Sequence, residues 1–151
     1  MRRPFAARAL VAATLVAAAL PASATPGYYR FPAVHAETVV FTAEGDLWSA
    51  PLAGGEARRL TTHAGQETHS ALSPDGQLMA IVGQSGAQHV VDRCTGAGGL
   101  RERVSFDGGR VEVHGWSPQG EVVYSSEDLV GPALRRVLRL VDPATLATRE
   151  L

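Results

Sequence analysis

The tetrapeptide Ser73-Pro74-Asp75-Gly76 returns as Ser117-Pro118-Gln119-Gly120, 44 residues further along the chain. The segment AGGEARRLT at 53–61 returns as AGGLRERVS at 97–105 with the same offset. Each tetrapeptide predicts a tight turn, because proline fixes φ at the second position and glycine accepts the left-handed region. A period of roughly 40–45 residues that carries several short strands is typical of a β-propeller blade.

Short segments rich in β-branched and aromatic residues lie between these turns and predict strands. In the first repeat we expect strands at 28–34, 38–41, 46–50 and 57–61, and in the third at 111–116, 122–125, 138–141 and 148–151. In the second repeat the run LMAIV at 78–82 predicts a strand buried between neighbouring blades. The sequence therefore predicts an all-β fold of four-stranded antiparallel blades, at about 27–62, 66–105 and 109–151.

Residues 1–24 are predicted to form a helical signal peptide that directs export to the periplasm or the medium. Arg2, Arg3 and Arg8 precede an apolar run at 9–20, and Pro21 is followed by small residues at cleavage-site spacing. The apolar run is too short for a membrane-spanning helix, which needs ~20 residues. We expect cleavage before Thr25, a mature domain at 25–151 and no membrane span after cleavage.

The number of predicted blades is too small for a closed ring. A propeller typically has four to eight blades, whereas the repeat predicts about three here. The sequence also ends within a predicted outer strand. We therefore expect a fragment of a longer protein, or a unit that assembles with further blades.

Composition argues against a nucleic-acid-binding protein and against a protein stabilised by an internal disulfide. All 14 basic residues are arginine, and three lie in the predicted signal peptide, which leaves 11 against 15 acidic residues. This balance and the lack of a basic cluster predict no nucleic-acid partner. Cys94 is the sole cysteine, so the chain cannot form an internal disulfide and must gain its stability from packed sheets.

Several stretches resemble the first propeller of tricorn-type serine proteases. They are GYYRFP at 27–32, EGDLW at 44–48, RRLT at 58–61 and GWSP at 115–118. The resemblance spans residues 27–151, and its opening block is the most specific part, because TolB-like propellers share the Ser-Pro-Asp-Gly turn. The stretch 92–96 departs from the family pattern, which puts the third strand of the second blade in doubt and suggests a local sequence disturbance.

The resemblance implies a six-bladed N-terminal propeller, a second propeller, a PDZ-like module and a C-terminal catalytic region with a nucleophilic serine. It implies that the propellers guide or filter peptides. The catalytic motif of the family has no counterpart in this sequence, so we assign no catalytic, cofactor-binding or metal-binding residue. The implied partners are the remaining blades and protease domains of a longer parent chain, and peptides or proteins; oligomerisation is left open.

Several residues of types common in active sites are better explained by structural roles. His63, His69, His89 and His114 lack the spacing of a metal site and are expected on the surface or between blades. Ser85 and Ser117 lie between predicted strands and outside a G-x-S-x-G motif. We expect Asp46 and Asp75 to bond turn amides, and Trp48 and Trp116 to pack between blades.

Two functional hypotheses follow. In the first, the chain is the non-catalytic propeller portion of an exported tricorn-like serine protease and gates or binds peptides. In the second, it is a TolB-like periplasmic scaffold that binds proteins. A third outcome is a product without function. The block at 27–47 favours the first hypothesis.

Overall fold

The structure, a computed structural model, describes residues 27–128 and 135–151, which form three antiparallel four-stranded sheets. Sheet 1 contains β1 (Arg30–His35), β2 (Thr38–Ala43), β3 (Asp46–Pro51) and β4 (Arg58–Arg59). Sheet 2 contains β5 (Glu67–Leu72), β6 (Leu78–Ser85), β7 (Gln88–Thr95) and β8 (Glu102–Arg103). Sheet 3 contains β9 (Val111–Trp116), β10 (Val122–Asp128), β11 (Arg135–Val141) and β12 (Thr148–Glu150). These sheets match the architecture that the repeat predicts.

The repeated tetrapeptides form the predicted turns. The Gly76 N–H donates to the Ser73 carbonyl at 2.8 Å, and the Gly120 N–H donates to the Ser117 carbonyl at 3.0 Å. Gly76 and Gly120 have φ angles of 70° and 84°, in the region that favours glycine. Each turn connects the first strand of its sheet to the second.

The sheets fan out from a common axis. In each sheet the strands follow one another in chain order from the inside to the outside. The three innermost strands are neighbours in space, because β1 contacts β5 and β5 contacts β9. The short strands β4, β8 and β12 lie at the outer rim, where a short edge limits unwanted strand pairing.

Two apolar layers hold the sheets together, and β6 contributes to both. The first interface, between sheets 1 and 2, contains Val40, Leu47, Leu60, Met79, Ile81 and Cys94. The second interface, between sheets 2 and 3, contains Ala80, Val82, Val91, Val104, Val111, Val113, Val122, Tyr124 and Val141. Alternate residues of β6 face opposite interfaces, as strand geometry requires. Full burial of a side chain such as Ile81 contributes roughly 1.5–3 kcal/mol.

The doubt about the third strand of sheet 2 is resolved by its pairing. β7 pairs with β6 without interruption from Leu78 opposite Thr95 to Ser85 opposite Gln88. Val91 and Cys94 are buried in the two interfaces. The unusual stretch at 92–96 therefore begins within a regular central strand.

The predicted signal peptide lies outside the described residues. Within the described ranges, no helix is long and apolar enough to cross a membrane. The described sheets also leave two faces without a neighbouring sheet, one on sheet 1 and one on sheet 3.

Candidate functional site

The inner strands of the three sheets border a cavity of about 440 Å³. Residues 31–34 of β1, 69–72 of β5 and 113–115 of β9 line this axial cavity. Apolar side chains and exposed polar atoms both form the wall, and the rings of Phe31, His69 and His114 also border it. Ligand sites in proteins are commonly concave and of this volume, with a few polar groups that fix the orientation of the ligand. The axial cavity is therefore the candidate functional site.

Bulges in the inner strands shape the axial cavity. The β1–β2 register shifts between Arg30 and Ala33, and the β5–β6 register shifts between Thr68 and Ala71. Within these bulges, Phe31 and His69 have φ angles of 51° and 49°. This left-handed conformation costs bulky residues roughly 1–3 kcal/mol each, and such strain clusters at functional sites.

His69 lies at the centre of the polar contacts near the cavity. Its ring centroid is 4.0 Å from that of Phe31, with the planes tilted by 36°. Its Nε2 lies 3.7 Å from Glu112 Oε1, and Glu112 Oε2 lies 3.1 Å from Arg136 Nη1. Burial lowers the pKa of His69; Glu112 opposes this shift, while His114 and Arg136 reinforce it. The imidazole is therefore neutral at neutral pH and can both donate and accept a hydrogen bond.

The other histidines considered from the sequence lie apart from one another. His63 is exposed, and its Nδ1 lies 2.7 Å from Arg101 Nη2. His89 is exposed at the start of β7, and His114 Nε2 lies 2.9 Å from Ser125 Oγ. Across residues 27–128 and 135–151, His, Cys, Asp and Glu side chains form no group of three or more suited to a metal ion.

A buried ion cluster lies in the first interface. Arg101 Nε is 3.4 Å from Glu67 Oε1, and Arg101 Nη1 is 3.2 Å from Asp92 Oδ2. The Thr61 hydroxyl donates to Glu67 Oε2. A Cβ at Gly83 would lie 2.0 Å from Arg101 Nη1, so this glycine makes room for the guanidinium. The cluster joins residues of both sheets and has a structural role.

Burial dominates the titration of the two carboxylates in this cluster. It raises the pKa of Glu67, although the Thr61 hydrogen bond and Arg101 oppose the shift. It also raises the pKa of Asp92, again against Arg101. Removing a carboxylate from water disfavours its charged form, and one guanidinium only partly compensates two such groups.

The two serines considered from the sequence have different surroundings. Ser117 Oγ accepts a hydrogen bond from the Glu121 N–H at 3.1 Å, so it stabilises its turn. Ser85 is exposed at the end of β6, next to the hairpin that leads to β7. Both residues lie between strands, as expected.

The two aspartates follow the prediction only in part. Asp75 Oδ1 accepts hydrogen bonds from Ser73 Oγ at 2.6 Å and from the Gln77 N–H at 3.0 Å, which confirms its role in the turn. Asp46 instead forms an ion pair with Arg59 on the neighbouring strand β4. The expectation that Asp46 bonds a turn amide is therefore wrong, because the cross-strand guanidinium lies within reach of its carboxylate.

The two tryptophans also differ from each other. Trp116 Nε1 donates to the Ala71 carbonyl at 2.8 Å, which links sheet 3 to sheet 2 and confirms the predicted packing between blades. Trp48 Nε1 donates to Ala43 within its own hairpin at 3.2 Å. Because Leu47 faces the first interface, Trp48 points to the opposite face of sheet 1, beside Phe41. This face of sheet 1 has no neighbouring sheet among the described residues, so packing of Trp48 against a further blade stays a prediction.

Sequence reasoning missed the axial residues Phe31 and Ser70 and the buried cluster around Arg101. Strand periodicity gives no signal for a bulge, which changes the direction of one side chain. The partners of Arg101 lie on different strands, so their proximity depends on the packing of the sheets. Gly83, within an apolar strand, is a signal for the cluster, because a glycine there can indicate a close approach.

Comparisons with known proteins agree with this architecture. The Tricorn protease N-terminal beta propeller domain model matches residues 26–151. Tricorn protease homolog 1 of Streptomyces coelicolor is 39% identical over 99 residues, which cover 65% of this chain and 9% of that protein. The chain thus spans about a tenth of the length of that relative.

Solved structures share the fold. The crystal structure of the tricorn protease has a TM-score of 0.67 at 23% identity, over 78% of this chain and 12% of that chain. TolB from Acinetobacter baumannii has a TM-score of 0.68 at 16% identity, over 83% of this chain and 32% of that chain. The three sheets are blades of a β-propeller, and the chain belongs to the family of tricorn protease N-terminal β-propeller domains.

Proposed function

We propose that this chain is the non-catalytic propeller portion of an exported tricorn-like serine protease, in which it admits or binds peptide substrates. The match of residues 26–151 to the tricorn propeller family carries this proposal. The axial cavity supports it, because it offers hydrogen-bonding groups as well as apolar side chains to a peptide. Peptide-bond hydrolysis is assigned to protease domains of a longer parent chain, which also supplies the remaining blades.

The reading frame that encodes this chain provides the decisive test. The proposal expects DNA downstream to encode further blades, then a PDZ-like region and a serine-protease core in the same frame. A stop codon after about six blades would instead support a TolB-like scaffold that binds proteins. The structural similarity to TolB is the observation that favours this second candidate.

The chain by itself is expected to lack peptidase activity. Ser117 is engaged in its turn and Ser85 lies at an exposed hairpin, so neither has the setting of an activated nucleophile. Incubation of the purified chain with fluorogenic peptides should give the background rate. Cleavage that disappears in Ser85→Ala or Ser117→Ala would contradict this assignment.

Export is a separate part of the proposal. It rests on the basic residues, apolar run and cleavage spacing within residues 1–24. N-terminal sequencing of the protein from its native host should begin at Thr25. A protein that retains Met1 and stays in the cytoplasm would contradict export.

A further inference from the structure

Ser70 carries an unusual hydroxyl at the axial cavity. The residue lines the cavity and is 7% exposed, and its Oγ is buried without a hydrogen-bond partner among the described residues. Buried hydroxyls are normally paired, because an unmade hydrogen bond in the interior is unfavourable. A rotation about χ1 between staggered positions would give this hydroxyl a different direction at low cost. Ser70 is thus poised to donate to a ligand.

The backbone next to Ser70 also has an unusual conformation. His69 precedes it in the left-handed region, and Phe31 adopts the same conformation on the neighbouring inner strand β1. The rings of these two residues are in contact. Together they place an aromatic surface and a neutral imidazole beside the unpaired hydroxyl.

The remaining wall defines the chemistry of the ligand. Ala33 and Val34 offer small apolar contacts, and polar atoms are also exposed on the wall. The nearby carboxylate of Glu112 already faces His69 and Arg136. The cavity therefore favours an uncharged group that combines hydrogen-bonding atoms with small apolar or aromatic parts.

The inner strands also favour an extended main chain. Within the described sheets, β1, β5 and β9 each have a neighbouring strand on one side only. The free sides of these strands border the axis and can exchange backbone hydrogen bonds with an extended peptide. This feature favours a peptide over a compact organic molecule.

We propose that the axial cavity binds an uncharged, extended peptide segment with an aromatic side chain between small residues. The Ser70 hydroxyl donates to a peptide carbonyl, and the aromatic side chain packs against Phe31 and His69. The inference rests on the proposed peptide-handling function, and it adds the site, the ligand class and the residue that recognises the main chain.

The test uses the full chain and the capped probe acetyl-Ala-Ala-Phe-Ala-Ala-amide. Calorimetry should detect binding, and Ser70→Ala should weaken it roughly tenfold, as expected for one lost hydrogen bond in a buried site. His69→Leu should also weaken binding. Replacing the probe's Phe with Glu, or leaving its carboxyl end uncapped, should reduce affinity. Absence of probe binding, or binding that neither variant changes, would overturn the proposal.

Stability measurements separate a binding role from a structural one. Among the described residues the Ser70 hydroxyl has no hydrogen-bond partner, so Ser70→Ala should unfold at the same or a higher urea concentration. Ser105→Ala is the matched control, because Ser105 Oγ accepts the Val91 N–H at 2.8 Å and its loss should destabilise the chain. A Ser70→Ala variant that is clearly less stable would overturn the proposal.

Failure of this site and failure of the proposed function are distinguishable. A protease core downstream, combined with no probe binding, would support the proposed function and contradict the proposed site. A frame without protease domains, combined with binding that depends on Ser70, would support the site and contradict the function.

Discussion

The two interfaces between blades share one framework but differ in their chemistry. In sheet 1, Thr61 Oγ1 accepts the Leu47 N–H at 3.0 Å. In sheet 2, Ser105 Oγ accepts the Val91 N–H at 2.8 Å, and both pairs of residues are related by the 44-residue offset. In sheets 1 and 2 the repeat therefore preserves a hydrogen bond that fixes the outer strand.

The difference arises at one repeated position. Glu67 enters the first interface, whereas Val111 stands 44 residues later at the second. Glu67 requires Arg101 and Thr61 as partners, while Val111 joins a cluster made mostly of valines. A repeated framework can thus carry an ionic interface or an apolar one.

The largest effect is expected from Arg101→Met. The variant leaves Glu67 and Asp92 buried without their guanidinium, which should cost about 3–5 kcal/mol of unfolding free energy. Urea denaturation provides the measurement. Arg93→Met is the matched control, since Arg93 pairs with Glu102 at an exposed site and its loss should cost about 0–1 kcal/mol. Equal effects of the two variants would contradict an ionic first interface.

An intermediate effect is expected in the second interface from Tyr124→Phe. The buried Tyr124 hydroxyl donates to Asp107 Oδ2 at 2.6 Å. Loss of a hydrogen bond to a charged group should reduce the unfolding free energy by about 1.5–3 kcal/mol. Tyr28→Phe, at an exposed tyrosine, is the control and should change little. An unchanged urea midpoint for Tyr124→Phe would show that this polar contact contributes little.

The smallest expected effect is the pH dependence of the unfolding free energy. Burial raises the folded-state pKa values of Glu67 and Asp92 above their ordinary 4.5 and 3.8. A carboxylate with a raised folded pKa binds more protons in the folded state, so its contribution to stability falls as pH rises through that pKa. From neutral pH downwards, these two groups should therefore favour the folded state.

The double variant Glu67→Gln/Asp92→Asn isolates this contribution from other titrating groups. Urea midpoints of the wild type and the double variant should be compared between about pH 7 and the ordinary carboxylate range. The wild type should gain stability on acidification relative to the double variant. The opposite trend would mean that Arg101 holds the carboxylates charged more strongly than burial opposes them.

The sequence predicted those parts of the fold that depend on local pattern. The turns at 73–76 and 117–120 and the strand at 78–82 follow from proline, glycine and apolar periodicity. Trp116 lies between blades as predicted, whereas Asp46 pairs with Arg59 across the strands and Trp48 lies on the open face of sheet 1. Their side-chain partners depend on the neighbouring hairpin and sheet, which a single repeat does not specify.

The candidate site was less predictable than the fold. The block GYYRFP at 27–32 resembles the family, but the bulge that gives Phe31 its unusual conformation has no periodic signal. Ser70 lies within the second bulge, and its hydroxyl lacks a hydrogen-bond partner among the described residues. Such properties emerge when three sheets meet around one axis.

Photo-crosslinking with the capped peptide tests the central claim most directly. The probe carries a photoreactive aromatic side chain in place of its Phe, and mass spectrometry locates the modified residues. An axial peptide site predicts crosslinks at 31–34, 69–72 and 113–115, and their reduction in Ser70→Ala. Crosslinks confined to the outer rim or to the open face of sheet 1, unchanged in that variant, would contradict an axial peptide site.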